Sequence, residues 1–154
     1  MSTSLTTAQE LLAVLPLLNR MMALELRQET GDDTTMSQFR VLAYLAEEPL
    51  TMSDIARRRK VSFQSAGELV QGFVERGWVV RMPNPADRRQ SMLHLTETGK
   101  EKYERAQSLM LHRLAGFMDQ LDEDEKTTVQ QALLSLHRVL VQEVQEVTEN
   151  DDRN

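Results

Sequence analysis

Two clusters of arginine in the middle of the chain have the residue types and spacing for binding phosphate. One is the run from Arg57 to Lys60, and the other is the pair Arg88 and Arg89 in a turn-forming stretch. Guanidinium groups donate hydrogen bonds in a planar fork that matches phosphate, and affinity for DNA comes largely from such contacts. The clusters therefore indicate a polyanionic partner.

The uneven distribution of charge supports this interpretation. The 154-residue chain has a formal net charge of -6, yet residues 53–90 hold eight basic and four acidic side chains. This segment is therefore at +4, and the rest of the chain is at -10. A basic patch on an acidic body attracts DNA in one orientation and limits nonspecific binding. The alternative is a charged face that is merely solvated.

Composition excludes several classes of chemistry. Cysteine is absent, which excludes disulfides, thiolate metal ligands and thiol nucleophiles. No apolar run approaches the roughly 20 residues that cross a bilayer. The first residues lack the basic and apolar regions of a secretory signal. We expect a cytoplasmic protein with no membrane partner.

No residue constellation typical of an enzyme or a metal centre occurs. His94, His112 and His137 lie far apart in the sequence, without the i, i+4 spacing of helical zinc ligands. There is no nucleophile elbow or glycine-rich phosphate loop, and the acidic run 122–125 is typical of a helix start. We therefore expect no catalytic residues, no metal and no cofactor.

Apolar periodicity predicts a mainly α fold with a small β-hairpin wing. The predicted helices cover 8–28, 36–47, a short segment capped by Thr51 or Ser53 and ending at Arg59, 62–77, 96 to about 121, and 122 to about 147. The β-branched, aromatic and alternating stretches 78–82 and 91–96 predict a hairpin around the turn-forming segment 83–90. Pro16 predicts a kink or a restart in the first helix.

Two short helices joined at Lys60 and Val61 are typical of a helix-turn-helix, whose second helix enters a major groove of DNA. Gln64 can read adenine, and Ser65 can contact several bases or phosphate. In the preceding helix, arginine heads can reach phosphate or complement the helix dipole. The candidate contacts from these helices are Arg57, Arg58, Ser62, Phe63, Gln64, Ser65 and Glu68.

The predicted hairpin tip carries Asp87, Arg88 and Arg89. Pro83 and Pro85 stiffen the hairpin, so its tip is suited to enter a minor groove. Asp87 can orient one of the two arginines. The alternative is a solvated turn.

The terminal helices predict a dimer. One face of the last helix is apolar over a greater length than a small central lobe can cover, through Val129, Leu133, Leu136, Leu140, Val144 and Val147. We predict a single domain over 1–154, with a DNA-binding lobe at 36–95, a dimerisation region at 5–30 and 96–148, and a disordered tail at 149–154. The alternative is that these helices form the core of one monomer.

The order of these elements, with the string DRRQSMLHLTETG from Asp87 to Gly99, resembles the MarR (multiple antibiotic resistance regulator) family. The resemblance covers nearly the whole chain. It is strongest from Ile55 to Gly99, where VS opens the recognition helix, RG precedes the hairpin, D-x-R forms the tip and L-x-L-T-x-x-G follows. The resemblance implies that Arg89 is the minor-groove contact and that Arg88 meets phosphate or the wing.

Glu68 departs from the family pattern, because many members carry a basic or neutral contact residue at this place. A carboxylate near phosphate is unfavourable, although Glu can accept a hydrogen bond from the amino group of cytosine. Affinity comes chiefly from phosphate contacts. The departure therefore bears on base preference more than on DNA binding itself.

The resemblance implies a sequence-specific transcriptional regulator, a repressor that binds double-stranded DNA as a homodimer at a pseudo-palindromic operator. It also implies a pocket for a small aromatic or phenolic effector, with Arg20 or Arg40 receiving an anionic group. Candidates to line this pocket are Arg20, Met22, Arg40 and Tyr44. The alternative function is a winged-helix protein-interaction module without specific DNA binding.

Overall fold

The computed structural model describes residues 3–30 and 35–151, and the side chains of residues 3–28 and 35–143. Within these residues the chain is mainly helical with one small sheet, which confirms the predicted fold class. The elements are α1 (Thr3–Thr30), α2 (Met36–Glu47), β1 (Leu50–Thr51), α3 (Met52–Arg59), α4 (Phe63–Glu75), β2 (Val79–Pro83), β3 (Ser91–Leu95), α5 (Glu97–Met118) and α6 (Glu123–Asp151).

The long terminal helices differ from the sequence predictions at their ends. α1 continues through Pro16, so a restart there is wrong, and it is longer than predicted at both ends. α5 ends at Met118, before the predicted end near Leu121. Residues 149–151 are helical, whereas a disordered tail was predicted from 149; residues 152–154 lie outside the described part.

The chain divides into two compact units, Met1–His112 and Arg113–Asn154, and the division falls inside α5. The predicted single domain, with a lobe at 36–95 and a dimerisation region at 5–30 and 96–148, stays a prediction.

In the second unit, the Asp122 carboxylate accepts from the Glu125 N–H (2.8 Å) and Glu125 accepts from the Asp122 N–H (3.0 Å). This reciprocal pair confirms the predicted capping box at the start of α6.

The first unit has one hydrophobic core, to which α1 to α5 and the sheet contribute. Its largest fully buried side chains are Phe73, Leu26, Leu42, Ile55, Leu93, Val41 and Val70. The Phe73 and Trp78 rings are stacked with centroids 6.0 Å apart, which fixes the end of α4 against the start of the hairpin. Burial of each such side chain contributes about 1.5–3 kcal/mol to stability.

Local hydrogen bonds explain where the helix-turn-helix elements begin and end. The Thr51 hydroxyl caps α3 in a capping box with Asp54, so the alternative cap at Ser53 is wrong. At the turn, Lys60 adopts φ 51° and ψ 45°, in the left-handed region. The Lys60 N–H donates to the Arg57 carbonyl and the Val61 N–H to the Ala56 carbonyl, both at 3.1 Å. These bonds end α3 and direct the chain into α4.

The sheet holds the wing against the helices. Its strand order is β1-β3-β2, and all pairs are antiparallel, with Leu50 and Arg81 both opposite Leu93. The hairpin was predicted, but β1 was not, because two residues are too few to show alternation. At the other end of the hairpin, a Cβ at Gly99 would lie 2.0 Å from the Trp78 carbonyl oxygen. Only glycine therefore allows α5 to start this close to β2.

Candidate nucleic-acid interface

The start of α4 presents a polar surface on a capped helix. The Ser62 Oγ accepts from the Ser65 backbone N–H at 3.1 Å and donates to the Ser65 Oγ at 2.9 Å. Ser62 is therefore the N-cap, as its position before an apolar stripe predicted. Both hydroxyls are exposed but already engaged with each other, which limits their freedom to contact bases.

The next exposed side chains of α4 are Phe63, Gln64 and Glu68. The Gln64 Nε2 donates to the Glu68 Oε1 at 3.4 Å. The carboxylate that departs from the family pattern therefore forms a hydrogen bond with the side chain predicted to contact adenine. Phe63 is 62% exposed, although the apolar stripe that continues from it is buried at Ala66 and Val70. Four successive positions, 62 to 65, thus face outward at the first turn.

All three arginines of α3 are engaged by other groups of the chain. Arg57 forms an ion pair with Asp54 (N–O 2.6 Å), and Arg58 forms one with Glu48 (2.5 Å). The Arg58 guanidinium also lies 5.5 Å from the centroid of the Tyr44 ring. Arg59 donates to the Ser37 carbonyl and, at 2.6 Å, to its hydroxyl. This cluster is therefore less available to phosphate than its sequence suggests.

Asp54 is both a capping group and a partner for α3 cations. Its carboxylate accepts from the Thr51 hydroxyl (2.6 Å) and from the Thr51 N–H (3.0 Å). These hydrogen bonds, assisted by the positive charges of Arg57 and Arg58, hold the pKa of the Asp54 carboxyl below its usual value. The carboxylate therefore stays charged at neutral pH and offsets part of the local positive charge.

The wing tip is ordered by backbone hydrogen bonds that leave its cations exposed. The Asp87 carboxylate accepts from the Arg89 N–H at 3.0 Å, and the Asn84 side chain accepts from the Ala86 N–H at 2.9 Å. Asp87 therefore positions the backbone of Arg89, whereas the sequence predicts a role in orienting one of the two guanidinium groups. Within the described residues, no side chain pairs with the guanidinium of Arg88 or Arg89, and both are exposed.

One cavity of about 250 Å³ brings the wing and the recognition helix together. Phe63 and Arg89, predicted separately, both line it. Arg81 lines it too and donates to the Gln71 side chain at 3.4 Å, a contact that the sequence analysis did not identify. The lining residues are Thr51, Met52, Ser53, Phe63, Gly67, Arg81, Arg89, Gln90, Ser91 and Leu93. A signal for Arg81 was available, because it is a basic residue on a predicted wing strand.

The four candidates for an effector pocket do not line either described cavity. Met22 and Tyr44 are half-buried beside the core, while Arg20 and Arg40 are exposed. A second cavity of about 410 Å³ is lined instead by Leu45, Ala46, Pro49, His94, Leu95, Thr96, Glu97, Lys100, Tyr103, Glu104 and Gln107. Burial raises the pKa of Tyr103, with a contribution from the Glu47 charge. The effector site stays a prediction.

The residues that the structure describes contain neither a metal-ligand cluster nor a membrane-spanning helix. Among them, no group of three or more histidine, aspartate or glutamate side chains is arranged to hold a metal ion. No helix in the described ranges combines the length and apolar composition needed to span a bilayer.

Comparisons with known proteins agree with this geometry. A model described as the MarR family matches residues 32–90. A Thauera aromatica protein, whose name assigns it to transcriptional regulation of the hcr operon, is 28% identical over 110 residues. The alignment covers 71% of this chain and 66% of that relative, just under two thirds of its length.

Solved structures with the same fold include several bacterial proteins. RV1404 from Mycobacterium tuberculosis is 22% identical with a TM-score of 0.80, covering 90% of this chain and 95% of its own. FabT from Streptococcus pneumoniae, in complex with DNA, is 17% identical with a TM-score of 0.73, covering 90% and 98%. Wild-type MarR from E. coli is 24% identical with a TM-score of 0.65, covering 80% and 94%. The chain thus has the fold of these proteins, and its residues 32–90, which include the helix-turn-helix and most of the wing, are similar to the MarR family.

Proposed function

We propose that the protein is a sequence-specific, DNA-binding transcriptional regulator that represses transcription as a homodimer on a pseudo-palindromic operator. The observation that carries the proposal is the meeting of two exposed elements at one surface. The first turn of α4 and the wing tip line a common cavity, through Phe63 and Arg89. This arrangement suits simultaneous contact with a major groove and the adjacent minor groove.

The division of charge supports the same proposal. Arg88 and Arg89 are exposed in a hydrogen-bonded turn, with no partner for either guanidinium among the described side chains. A free guanidinium can enter a narrow minor groove, where the negative potential is high. The solved structure of FabT, which has the same fold, is a complex with DNA, and this supports double-stranded DNA as the partner here.

Exposed apolar side chains support a homodimer. On α1, Leu12 is 69% exposed and Leu17 is 67% exposed; on α6, Leu133 is 59% and Leu134 is 65% exposed. Of the predicted α6 face, Val129 and Leu136 are half-buried and Leu140 is exposed, while the side chains of Val144 and Val147 lie outside the described residues. A second copy of the chain would remove such apolar surface from water, and its two-fold symmetry would match a pseudo-palindrome.

Repression and its relief complete the proposal. A dimer bound across an operator would obstruct transcription in the cytoplasm, where a bacterial chromosome lies. A small aromatic or phenolic effector would relieve repression only if it bound the DNA-incompetent arrangement more tightly than the competent one. Arg20, Met22, Arg40 and Tyr44 remain the candidates to bind it.

Fluorescence anisotropy tests the proposal directly. The probes are a duplex from the region upstream of the protein's own reading frame and a scrambled duplex of the same composition, each at two salt concentrations. We expect tight, salt-sensitive binding with a preference for the native duplex. Equal and weak binding to both duplexes would contradict sequence-specific regulation and favour the protein-interaction module.

A further inference from the structure

Phe63 and Gly67 form an apolar notch on the recognition helix α4. Polar contacts with DNA do not explain why these two residue types occur there. Phe63 and Gly67 both line the cavity between α4 and the wing, and they are four residues apart on one helix. Residues at this spacing lie one above the other on the same side of a helix. The notch is thus formed by an aromatic ring and, one turn further along, a position with no side chain.

The ring of Phe63 continues the apolar stripe of α4 but is exposed to solvent. It lies in line with the buried residues Ala66 and Val70, yet it is 62% exposed because α4 begins there. The exposed residues that follow or cap this helix turn are polar or charged, namely Ser62, Gln64, Ser65 and Glu68, and the exposed apolar residue Val61 precedes them. A large apolar surface on such a face loses its contact with water when it meets an apolar group of a partner.

No packing contact among the described residues requires glycine at position 67. A Cβ added there meets no atom within 4 Å, so alanine would fit the free chain. Glycine inside a helix lowers stability relative to alanine, because it fixes a more flexible backbone. The missing side chain leaves clearance next to Phe63 on the surface that faces the cavity.

We propose that the notch formed by Phe63 and Gly67 accepts the 5-methyl group of a thymine in the major groove. This inference rests on the proposed function. Thymine is the only standard base that presents a methyl group there, and phenylalanine is among the side chains that contact it. Gly67 provides the space for the methyl group and its base to approach the helix backbone. Phe63 is thereby a specificity-determining residue.

Deoxyuridine tests the inference, since it pairs as thymine does but lacks the methyl group. The probe is a duplex selected from a random-sequence library by the wild-type protein, with each thymine replaced in turn. We expect one thymine in each half-site whose replacement weakens wild-type binding about fourfold, as loss of one buried methyl group predicts. The same replacement should leave the affinity of Phe63→Ala unchanged.

The two glycines of α4 provide a matched pair of variants. Gly72 also has open space at its Cβ position, but it does not line the cavity. Gly67→Ala and Gly72→Ala should both raise the thermal midpoint, by about 2–4 °C. Only Gly67→Ala should weaken binding to the selected duplex, so the loss cannot come from unfolding.

Each contrary result has a distinct meaning. If Phe63→Ala binds more weakly but remains sensitive to deoxyuridine, the ring packs on the sugar–phosphate backbone and the thymine contact is wrong. If Gly67→Ala binds like the wild type, the notch is not the site of contact. If the wild type selects no duplex, the proposed function itself fails, and the inference fails with it before any variant is made.

Discussion

The arginines of α3 and those of the wing tip have similar sequence contexts but different structural states. Arg57 and Arg58 form ion pairs with Asp54 and Glu48, at 2.6 and 2.5 Å. At the wing tip, the carboxylate of Asp87 binds a backbone N–H, so the guanidinium groups beside it are not neutralised. A count of basic residues therefore overstates the charge that α3 offers to DNA and describes the wing correctly.

The difference lies in where each carboxylate points. In α3, Asp54 caps the helix and faces the next turn, which brings Arg57 within reach at i+3. In the wing, the turn geometry directs Asp87 toward the main chain of Arg89. Both acids stabilise a local structure, but only one of them offsets a cation. The α3 pairs are exposed, so DNA could still compete for them at modest cost.

Loss of the Arg89 guanidinium should have the largest effect on DNA affinity. Arg89→Ala should weaken binding to the selected duplex by about 10- to 100-fold, since a specific arginine contact with DNA is removed. Its thermal midpoint should not change, because no side chain among the described residues depends on the guanidinium. Anisotropy and thermal unfolding measure the two quantities.

Arg57→Ala is the matched control for Arg89→Ala, because its guanidinium is also exposed but is paired with Asp54. We expect a smaller loss of affinity than for Arg89→Ala. Equal losses for the two variants would contradict the difference between α3 and the wing, since they would show that Arg57 leaves its ion pair at no cost when DNA binds.

Removal of Asp54 should affect stability rather than DNA contacts. Asp54→Ala deletes the hydrogen bonds with Thr51 and the ion pair with Arg57, and should lower the free energy of unfolding by about 1–2 kcal/mol. Urea denaturation measures this change. Asp87→Asn is the control, since asparagine keeps a side-chain oxygen for the Arg89 N–H. An unchanged Asp54→Ala stability would mean that the capping box does not hold α3.

The Asp54 effect should also depend on pH. Its folded-state pKa lies below the ordinary value of 3.8, so its contribution to stability is present above that pH and is lost as pH falls through the folded pKa. The difference in unfolding free energy between wild type and Asp54→Ala should therefore shrink in acid. Denaturation curves at neutral pH and below pH 3.8 would show this. A constant difference would exclude the carboxylate charge as its source.

The sequence predicted the helix-turn-helix and the hairpin well because their signals are local. Thr51 and Ser62 are caps whose partners lie three residues away, and periodicity alone places Val70 and Phe73 in the core. Strand β1 was missed because its evidence is its pairing with β3, more than 40 residues later.

The pairing of the α3 cations was missed for the same reason. Glu48 and Ser37 reach Arg58 and Arg59 from 10 and 22 residues away, and no local pattern encodes those contacts. The Arg57 contact with Asp54 is local, but a count of basic residues does not show that this carboxylate neutralises the arginine. The sequence therefore predicts a candidate interface but not the availability of each cation within it.

Substitution of Lys60 should change DNA affinity least, although the Lys60 side chain resembles the wing-tip arginines in having no partner among the described residues. It is exposed, and no described side chain pairs with it, while its φ of 51° is unfavourable for a residue with a Cβ. Lys60→Gly should raise the free energy of unfolding by about 0.5–1 kcal/mol, since glycine adopts this conformation readily. If Lys60 contacts phosphate, the variant should also reduce the slope of log affinity against log salt by about 1. Lys60→Asn, which tolerates the same backbone, separates the two effects, because both variants lose the charge but only glycine lacks a Cβ. A salt slope unchanged in both variants would show that Lys60 makes no phosphate contact.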